Sequence, residues 1–271
     1  MGTPTDVRPR PFEDDDPAAG PEGESESHVL DNPVYWSLRG AHAHLAERRG
    51  SVLRYPVDVS PFMGIPDRLD PGVWDDLAAL VGPGGLAPFT RQPDVVPPGW
   101  EVALSGPGVQ LVDESLEAAP DEEAVRLGPA DVPDMLALVA DTQPGPFLPR
   151  TIELGTYLGI RRGGALVAMA GERLHPPGWT EISAVCTDAA FRGQGLATRL
   201  VKAVAHGIRA RGETPFLHAA ADNTNAIRLY LSIGFRLRRR PEFFVLRAPG
   251  TAPAGSDGWG ALGAGADPRE R

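Results

Sequence analysis

The stretch E-I-S-A-V-C-T-D-A-A-F-R-G-Q-G-L-A-T-R-L, Glu181 to Leu200, decides how the rest of the chain is read. Its first part, Glu181 to Thr187, carries the β-branched residues Ile182, Val185 and Thr187 and reads as a strand. A short turn leads to Arg192-Gly193-Gln194-Gly195-Leu196-Ala197 and to a helix starting near Gly195, with Leu196, Leu200, Val204 and Ile208 on one stripe. The first amides of a helix lack partners within it and sit at the positive end of its dipole. Gly193 and Gly195 let a bulky anion approach without meeting a Cβ. The stretch is therefore a site for something phosphorylated.

A nucleotide P-loop would need Lys-Ser/Thr after its last glycine, where this chain has Leu196 and Ala197. The dinucleotide fingerprint would need a third glycine where Thr198 stands. Arg192 to Ala197 instead resembles the Arg-x-x-Gly-x-Gly/Ala pyrophosphate loop of the GNAT superfamily of acyl-CoA-dependent N-acetyltransferases. Downstream, Asn223, Ala226, Tyr230 and Gly234-Phe235 resemble that superfamily's second signature, Asn-x-x-Ala-x-x-x-Tyr followed by Gly-Phe. The residues themselves agree. Phe216 to Ala219 reads as a strand, Asn223 as a helix cap, and Gly234 as the glycine that ends the helix. The resemblance covers roughly 125–247 and is closest in pattern to the glycine-N-acyltransferase-like branch.

The chain has 271 residues, is 42% hydrophobic and carries a net charge of −10, which argues against a nucleic-acid or anionic-membrane partner. A single cysteine, Cys186, excludes a disulfide framework and a cysteine-clustered zinc site, so no metal is expected. No apolar run approaches a membrane span and the beginning lacks a signal peptide's apolar core, so the expected address is the cytoplasm. Residues 1–27 are acidic and rich in proline and glycine and read as a disordered tail, and 251–271 as a second one.

Between the tails two regions are expected. The first, 28–117, is a smaller α/β half with a helix over Pro33 to Arg49, a strand over Ser51 to Val59, a helix capped by Asp70, and strand-like pieces at 86–90, 100–104 and 109–112. His42 and His44 read as helix-surface histidines, since residues two apart on a helix point in different directions. The second, 122–249, is the acetyltransferase-like domain, with a helix near Met135 to Asp141 and a hairpin turning at Gly163-Gly164. The fold class is α/β: a mixed, mostly antiparallel sheet flanked by helices.

The resemblance implies acetyl-CoA as acyl donor, a small-molecule or peptide amine as acceptor, and direct attack in a ternary complex. It places Val185, Cys186 and Thr187 along the pantetheine arm and Arg192, Gly193, Gln194, Gly195, Leu196 and Ala197 at the pyrophosphate. Asn223, Ala226 and Tyr230 line the same site, and Tyr230 protonates the leaving thiolate. Alternation along the strand puts Glu181 on the face of Ser183, Val185 and Thr187, where it serves as general base or sits as an edge glutamate; Glu172 and His218 are alternatives. A non-catalytic acyl-CoA-binding module is the other reading. Neither the acceptor nor the oligomeric state is legible.

Overall fold

The structure, a computed structural model, describes residues 28–251 apart from Gln92 and Asp94. The expected tails therefore lie outside the described residues, Thr251 aside. Pro33 at the first helical position starts α1 (Pro33–Arg39), but the helix expected to reach Arg49 ends at Gly40. Beyond it the chain turns back. Glu47–Arg49 (β1) pairs antiparallel with Val52–Arg54 (β2) across Gly50, whose φ of 52° suits a hairpin turn. Met63–Gly64 (β3) completes a three-stranded sheet, and α2 (Val73–Val81) follows, with Asp70 Oδ1 accepting from Gly72 N at 2.9 Å.

His42 is not a surface histidine. It is 4% exposed, its Nδ1 lies 2.8 Å from the Tyr55 hydroxyl and its Nε2 lies 3.0 Å from the Leu154 carbonyl. Periodicity could not show this, because the inward turn is fixed by partners 13 and 112 residues away. Burial, reinforced by His175 with its ring 4.9 Å away, lowers the His42 pKa from 6.5 to about 4. The folded state thus resists the proton that the unfolded chain accepts, so stability is complete above about pH 6.5 and falls on the way to pH 4. Denaturant titration should show a loss of about 2 kcal/mol from this group alone between pH 7 and pH 5. In His42→Gln that part of the slope should disappear.

The main sheet draws on both regions. Leu86–Phe89 forms β4, and the two strand pieces expected at 100–104 and 109–112 are one strand, β5 (Glu101–Asp113). Then come β6 (Val125–Arg126), α3 (Val132–Thr142), β7 (Tyr157–Arg162), β8 (Ala165–Glu172), β9 (Trp179–Thr187) and α4 (Leu196–Ala210). The described chain ends with β10 (Thr214–Ala220), α5 (Thr224–Ser232), β11 (Phe235–Arg239) and β12 (Glu242–Arg247). Among the described residues the strand order is β4-β12-β5-β10-β9-β8-β7-β6, with β11 also on β5. Among the described residues only β9 and β10 pair in parallel, joined by α4 as the crossover. The fold is the expected mixed, mostly antiparallel α/β sheet, with the small three-stranded sheet before it. The boundary near 117–122 follows β5, which pairs with β10, β11 and β12, so the two regions share one sheet.

Side chains alternate to two faces. Ile182, Ala168, Ala170 and Leu217 pack with Leu196, Leu200, Val204 and Ile208 of α4, and with Tyr230. Each buried leucine or isoleucine contributes about 1.5–3 kcal/mol, enough to fix α4 on the sheet. The opposite face carries Met169, Ala184 and Cys186 against Met135 and Leu138 of α3. Beside them, Phe216 and Leu174 meet Leu30, Val34, Leu38 and Tyr55 of the N-terminal region. No helix among the described residues is long and apolar enough to cross a membrane.

Candidate active site

Two irregularities in β9 make the site. The first is a bulge. Met169 pairs with Cys186 and Gly171 with Ser183, so Ala170 alone faces both Ala184 and Val185. Ala184 takes φ of 52°, an uncommon value for a residue with a Cβ. The second is a divergence. β9 and β10 pair at Trp179/Thr214, Thr180/Pro215 and Glu181/Phe216, and then separate, although both strands continue. The gap between them opens toward the start of α4.

The bulge corrects the expected alternation. Val185 packs with Ile182 on the α4 face, whereas Ala184 and Cys186 pack on the α3 face. Glu181 therefore does not share a face with Val185. Alanine carries no sequence signal for a left-handed backbone, so counting by twos crossed the bulge without registering it.

A cavity of about 370 Å³ occupies the open end of the gap. Val185, Cys186 and Thr187 of β9, Arg192, Gly193, Gly195, Leu196 and Ala197 of the turn and α4, and Asn223, Ala226 and Tyr230 near α5 all line it. Thr142, Gln143 and Pro144, at the end of α3, form a further wall. Gln194 is exposed between the two glycines and is not part of the lining. Gly193 and Gly195 have φ of 77° and 75°, and a Cβ on either would meet no atom within 4 Å. The turn is open toward the cavity. The first ladder bond of α4 is Arg199 N to Gly195 O at 3.0 Å, which leaves the amides of Leu196, Ala197 and Thr198 without helical acceptors. Asn223 caps α5, its Oδ1 accepting from Ala226 N at 3.1 Å.

Tyr230 is 7% exposed, and its hydroxyl has no hydrogen-bond partner among the described residues although its side chain lines the cavity. Burial, with Cys186 nearby, raises its pKa to about 12. Burial likewise pushes the Cys186 thiol up to about 11. Thr187 Oγ1 is buried without a partner in the same wall. A buried hydroxyl left unbonded is costly, and one that faces a cavity is ready to bond a ligand.

Glu181 lies elsewhere. It is 0% exposed, with Oε2 accepting from Arg173 Nε at 2.8 Å and Oε1 from Arg173 Nη2 at 2.7 Å. Oε1 also lies 2.7 Å from His218 Nδ1. Burial alone would raise its pKa, but the Arg173 charge, the paired hydrogen bonds and His218 outweigh it and hold the carboxylate at about 2. A general base needs an uncommitted lone pair facing the substrate. Glu181 has neither the freedom nor the access. Glu172 is 3% exposed and accepts from Thr156 N at 3.1 Å and Arg211 Nη2 at 2.9 Å. Three arginines that follow Gly234 are also engaged. Arg236 pairs with Glu114, and both Arg238 and Arg239 pair with Asp31.

Comparison with known proteins agrees with this geometry. Residues 157–244 match the family described as FR47-like protein. Over 90 residues the chain is 40% identical to N-alpha-acetyltransferase RimI of Mycobacterium tuberculosis, which covers 31% of this chain and 56% of that protein. It is 31% identical over 232 residues to an uncharacterized protein of Mycobacterium leprae, covering 78% of this chain and 62% of the other. The chain thus spans little more than half the length of these curated relatives. A crystal structure from Novosphingobium aromaticivorans, assigned to the GNAT family of acetyltransferases, superimposes with a TM-score of 0.74 at 39% identity, covering 84% of this chain and 100% of that one. With that full-length likeness joined to the glycine turn, the diverging strands and the capped α5, the chain belongs to the GNAT family of acetyltransferases.

Proposed function

We propose that this chain transfers an acetyl or other short acyl group from acyl-CoA to an amine, by direct attack with both substrates bound. The observation that carries the proposal is the free Tyr230 hydroxyl in a cavity whose other end is a glycine turn with unbonded helix amides. The residues fit the donor. Gly193 and Gly195 leave room for a diphosphate, the first amides of α4 and Arg192 supply positive charge, and Thr187 Oγ1 lacks a partner that an amide-bearing arm can provide. The donor brings an acyl carbon already activated as a thioester. This chain's residues hold it, order the gap and move a proton.

The amine nitrogen bonds to the acyl carbon as the carbon–sulfur bond breaks. Tyr230 gives its proton to the departing sulfur, and its phenolate recovers one from the newly bonded nitrogen, so no net proton is taken up by the protein. Cys186 is no nucleophile here, being buried with a raised pKa and without a neighbouring base. Glu181, with Arg173 and His218, fixes the closed end of the gap. The region 122–249 carries the chemistry. We read 28–117 as a companion half without a phosphate turn of its own, as in the glycine-N-acyltransferase-like branch, and the small sheet with α1 and α2 supports that. The net charge of −10 speaks against a nucleic-acid or anionic-membrane partner, and we read the enzyme as cytoplasmic.

The test is release of free thiol from acetyl-CoA on adding an amine. Binding of acetyl-CoA without amine-dependent release would leave only a binding module. Tyr230→Phe keeps the ring and removes the hydroxyl. Turnover should fall roughly 10²-fold or more while the dissociation constant for acetyl-CoA stays within a factor of a few. Unchanged turnover per folded molecule would remove the hydroxyl from the chemistry.

A further inference from the structure

A second cavity, of about 200 Å³, lies where the small sheet and α2 meet the last strand of the main sheet. Its walls come from β2 and β3, from the turn between α2 and β4, and from Arg247 at the end of β12. It shares no lining residue with the cavity beside Tyr230. Water in the liquid takes about 30 Å³ per molecule, so on that scale there is room for roughly six or seven non-hydrogen atoms.

The polar side chains in its wall offer donors. Arg54, at the end of β2, gives Nη1 to the Leu80 carbonyl and Nε to Glu47 Oε2, both at 2.6 Å, which leaves Nη2 over. Arg247 gives Nη1 to the Gly84 carbonyl at 3.1 Å, and its Nε and Nη2 have no partner among the described residues. Glu101, opposite Arg247 in the ladder, is exposed and forms no ion pair with it. Ser60 is 3% exposed. Its Oγ accepts from Phe62 N at 3.4 Å, while its own proton meets no acceptor among the described residues. A buried donor without an acceptor is costly, so each such group is a place for a ligand oxygen. The remaining hydroxyl in the wall, that of Tyr55, is already used. His42 Nε2 must donate to the Leu154 carbonyl, so its Nδ1 accepts from Tyr55.

The rest of the wall is apolar. Met63 is buried, Val81 and Leu86 are half-buried, and Val57 is 72% exposed, the highest value for a large hydrophobic residue among those described. No carboxylate lines the cavity. The bonds to Leu80 and Gly84 explain why one nitrogen of each guanidinium is anchored. They do not explain why both arginines border a cavity with no acidic side chain in its wall. A cation would meet like charge here. A carboxylate matches the planar guanidinium fork and accepts every donor on offer. An aliphatic tail on it would cover Val57 and gain by leaving water.

We propose that this cavity is a second ligand site, which binds a small carboxylate with a short aliphatic tail. The carboxylate lies among Arg54, Arg247 and Ser60, and the tail lies against Val57, Met63 and Leu86. The site is separate from acyl transfer and gives the region before β5 a ligand of its own. Its specificity has two parts. The charge selects an acid over its amide, because a neutral amide brings N–H donors to a wall of donors. The room for roughly six or seven non-hydrogen atoms selects a short chain.

The experiment titrates sodium butyrate into the full chain by calorimetry, with butyramide as its uncharged match. Butyrate should bind with a dissociation constant on the order of 1 mM, and butyramide about tenfold more weakly or worse. Saturating acetyl-CoA should leave the butyrate affinity unchanged, because the two linings are separate. Arg247→Gln should weaken butyrate about tenfold or more. Since Arg247 also holds the Gly84 carbonyl, Val57→Asp serves as a second variant. It sets a carboxylate at a largely exposed position of the wall, breaks no hydrogen bond, and should weaken butyrate by a similar factor with the melting curve unmoved. No binding of butyrate by the folded parent, equal binding of butyramide, or displacement of butyrate by acetyl-CoA would each overturn the site. So would full butyrate affinity in either folded variant. None of these results touches the transferase reading, which amine-dependent thiol release tests on its own.

Discussion

Gly195→Asp should fold normally and fail to bind acetyl-CoA. Gly195 sits at φ of 75°, just before α4, and a Cβ there would point into space with no atom within 4 Å. Aspartate is one of the few side chains that tolerates this left-handed conformation. Its carboxylate would lie at the unbonded amides of Leu196, Ala197 and Thr198, where a negative charge stabilises the helix by about 0.3–1 kcal/mol. The variant would thus carry its own anion in the place meant for the ligand's diphosphate. Two negative charges about 4 Å apart near a protein surface repel by about 4 kcal/mol, and that alone weakens binding roughly 10³-fold. Gly195→Ala separates shape from charge. It brings the backbone cost of about 1–2 kcal/mol without the repulsion and should bind measurably, if weakly. Calorimetry with acetyl-CoA, beside melting curves for all three proteins, checks both. Unchanged affinity in a folded Gly195→Asp protein would detach the turn from the ligand.

How much of this was legible depends on how local the cause is. The Arg192–Ala197 turn, the Asn223 cap and the Gly163-Gly164 hairpin are written in neighbouring residues, since glycine and a capping side chain act on the backbone beside them. So is the amphipathic stripe of α4. What escaped has distant causes. Nothing near His42 announces that Tyr55 and Leu154 will take up both its ring nitrogens. The 13-residue length of β5, read as two short strands, is set by partners on β10, β11 and β12. The bulge at Ala184 is the costliest omission, because one inserted residue reverses the face of everything before it. It moved Glu181 from an expected catalytic position to a buried ion pair. A base-like residue on the right strand is thus no guide to function until the register is known.

Glu181→Gln follows from that relocation, and its effect should appear in stability and not in chemistry. The substitution leaves the shape almost unchanged but removes the charge that faces Arg173, whose side chain is only 12% exposed and which lies over the Phe62 ring at 5.2 Å. Breaking one side of a buried ion pair typically costs about 3–5 kcal/mol, because the remaining charge stays desolvated. The sign with pH is fixed by the lowered pKa. The parent has the full contribution above about pH 4.5 and loses it on the way to about pH 2, so the deficit of the variant should be largest at neutral pH and close as both are acidified. Arg173→Met in the same chain should restore much of the loss, since an apolar pair often replaces a buried ion pair without penalty. Turnover per folded molecule should stay within a few-fold of the parent at every pH. A base in that position would instead lose about 10²–10⁴ in rate at neutral pH and recover in alkali. Denaturant titration and a pH–rate profile on the same preparation separate the two outcomes. An alkaline rescue of activity with stability intact would return Glu181 to the mechanism and sink the buried-pair assignment.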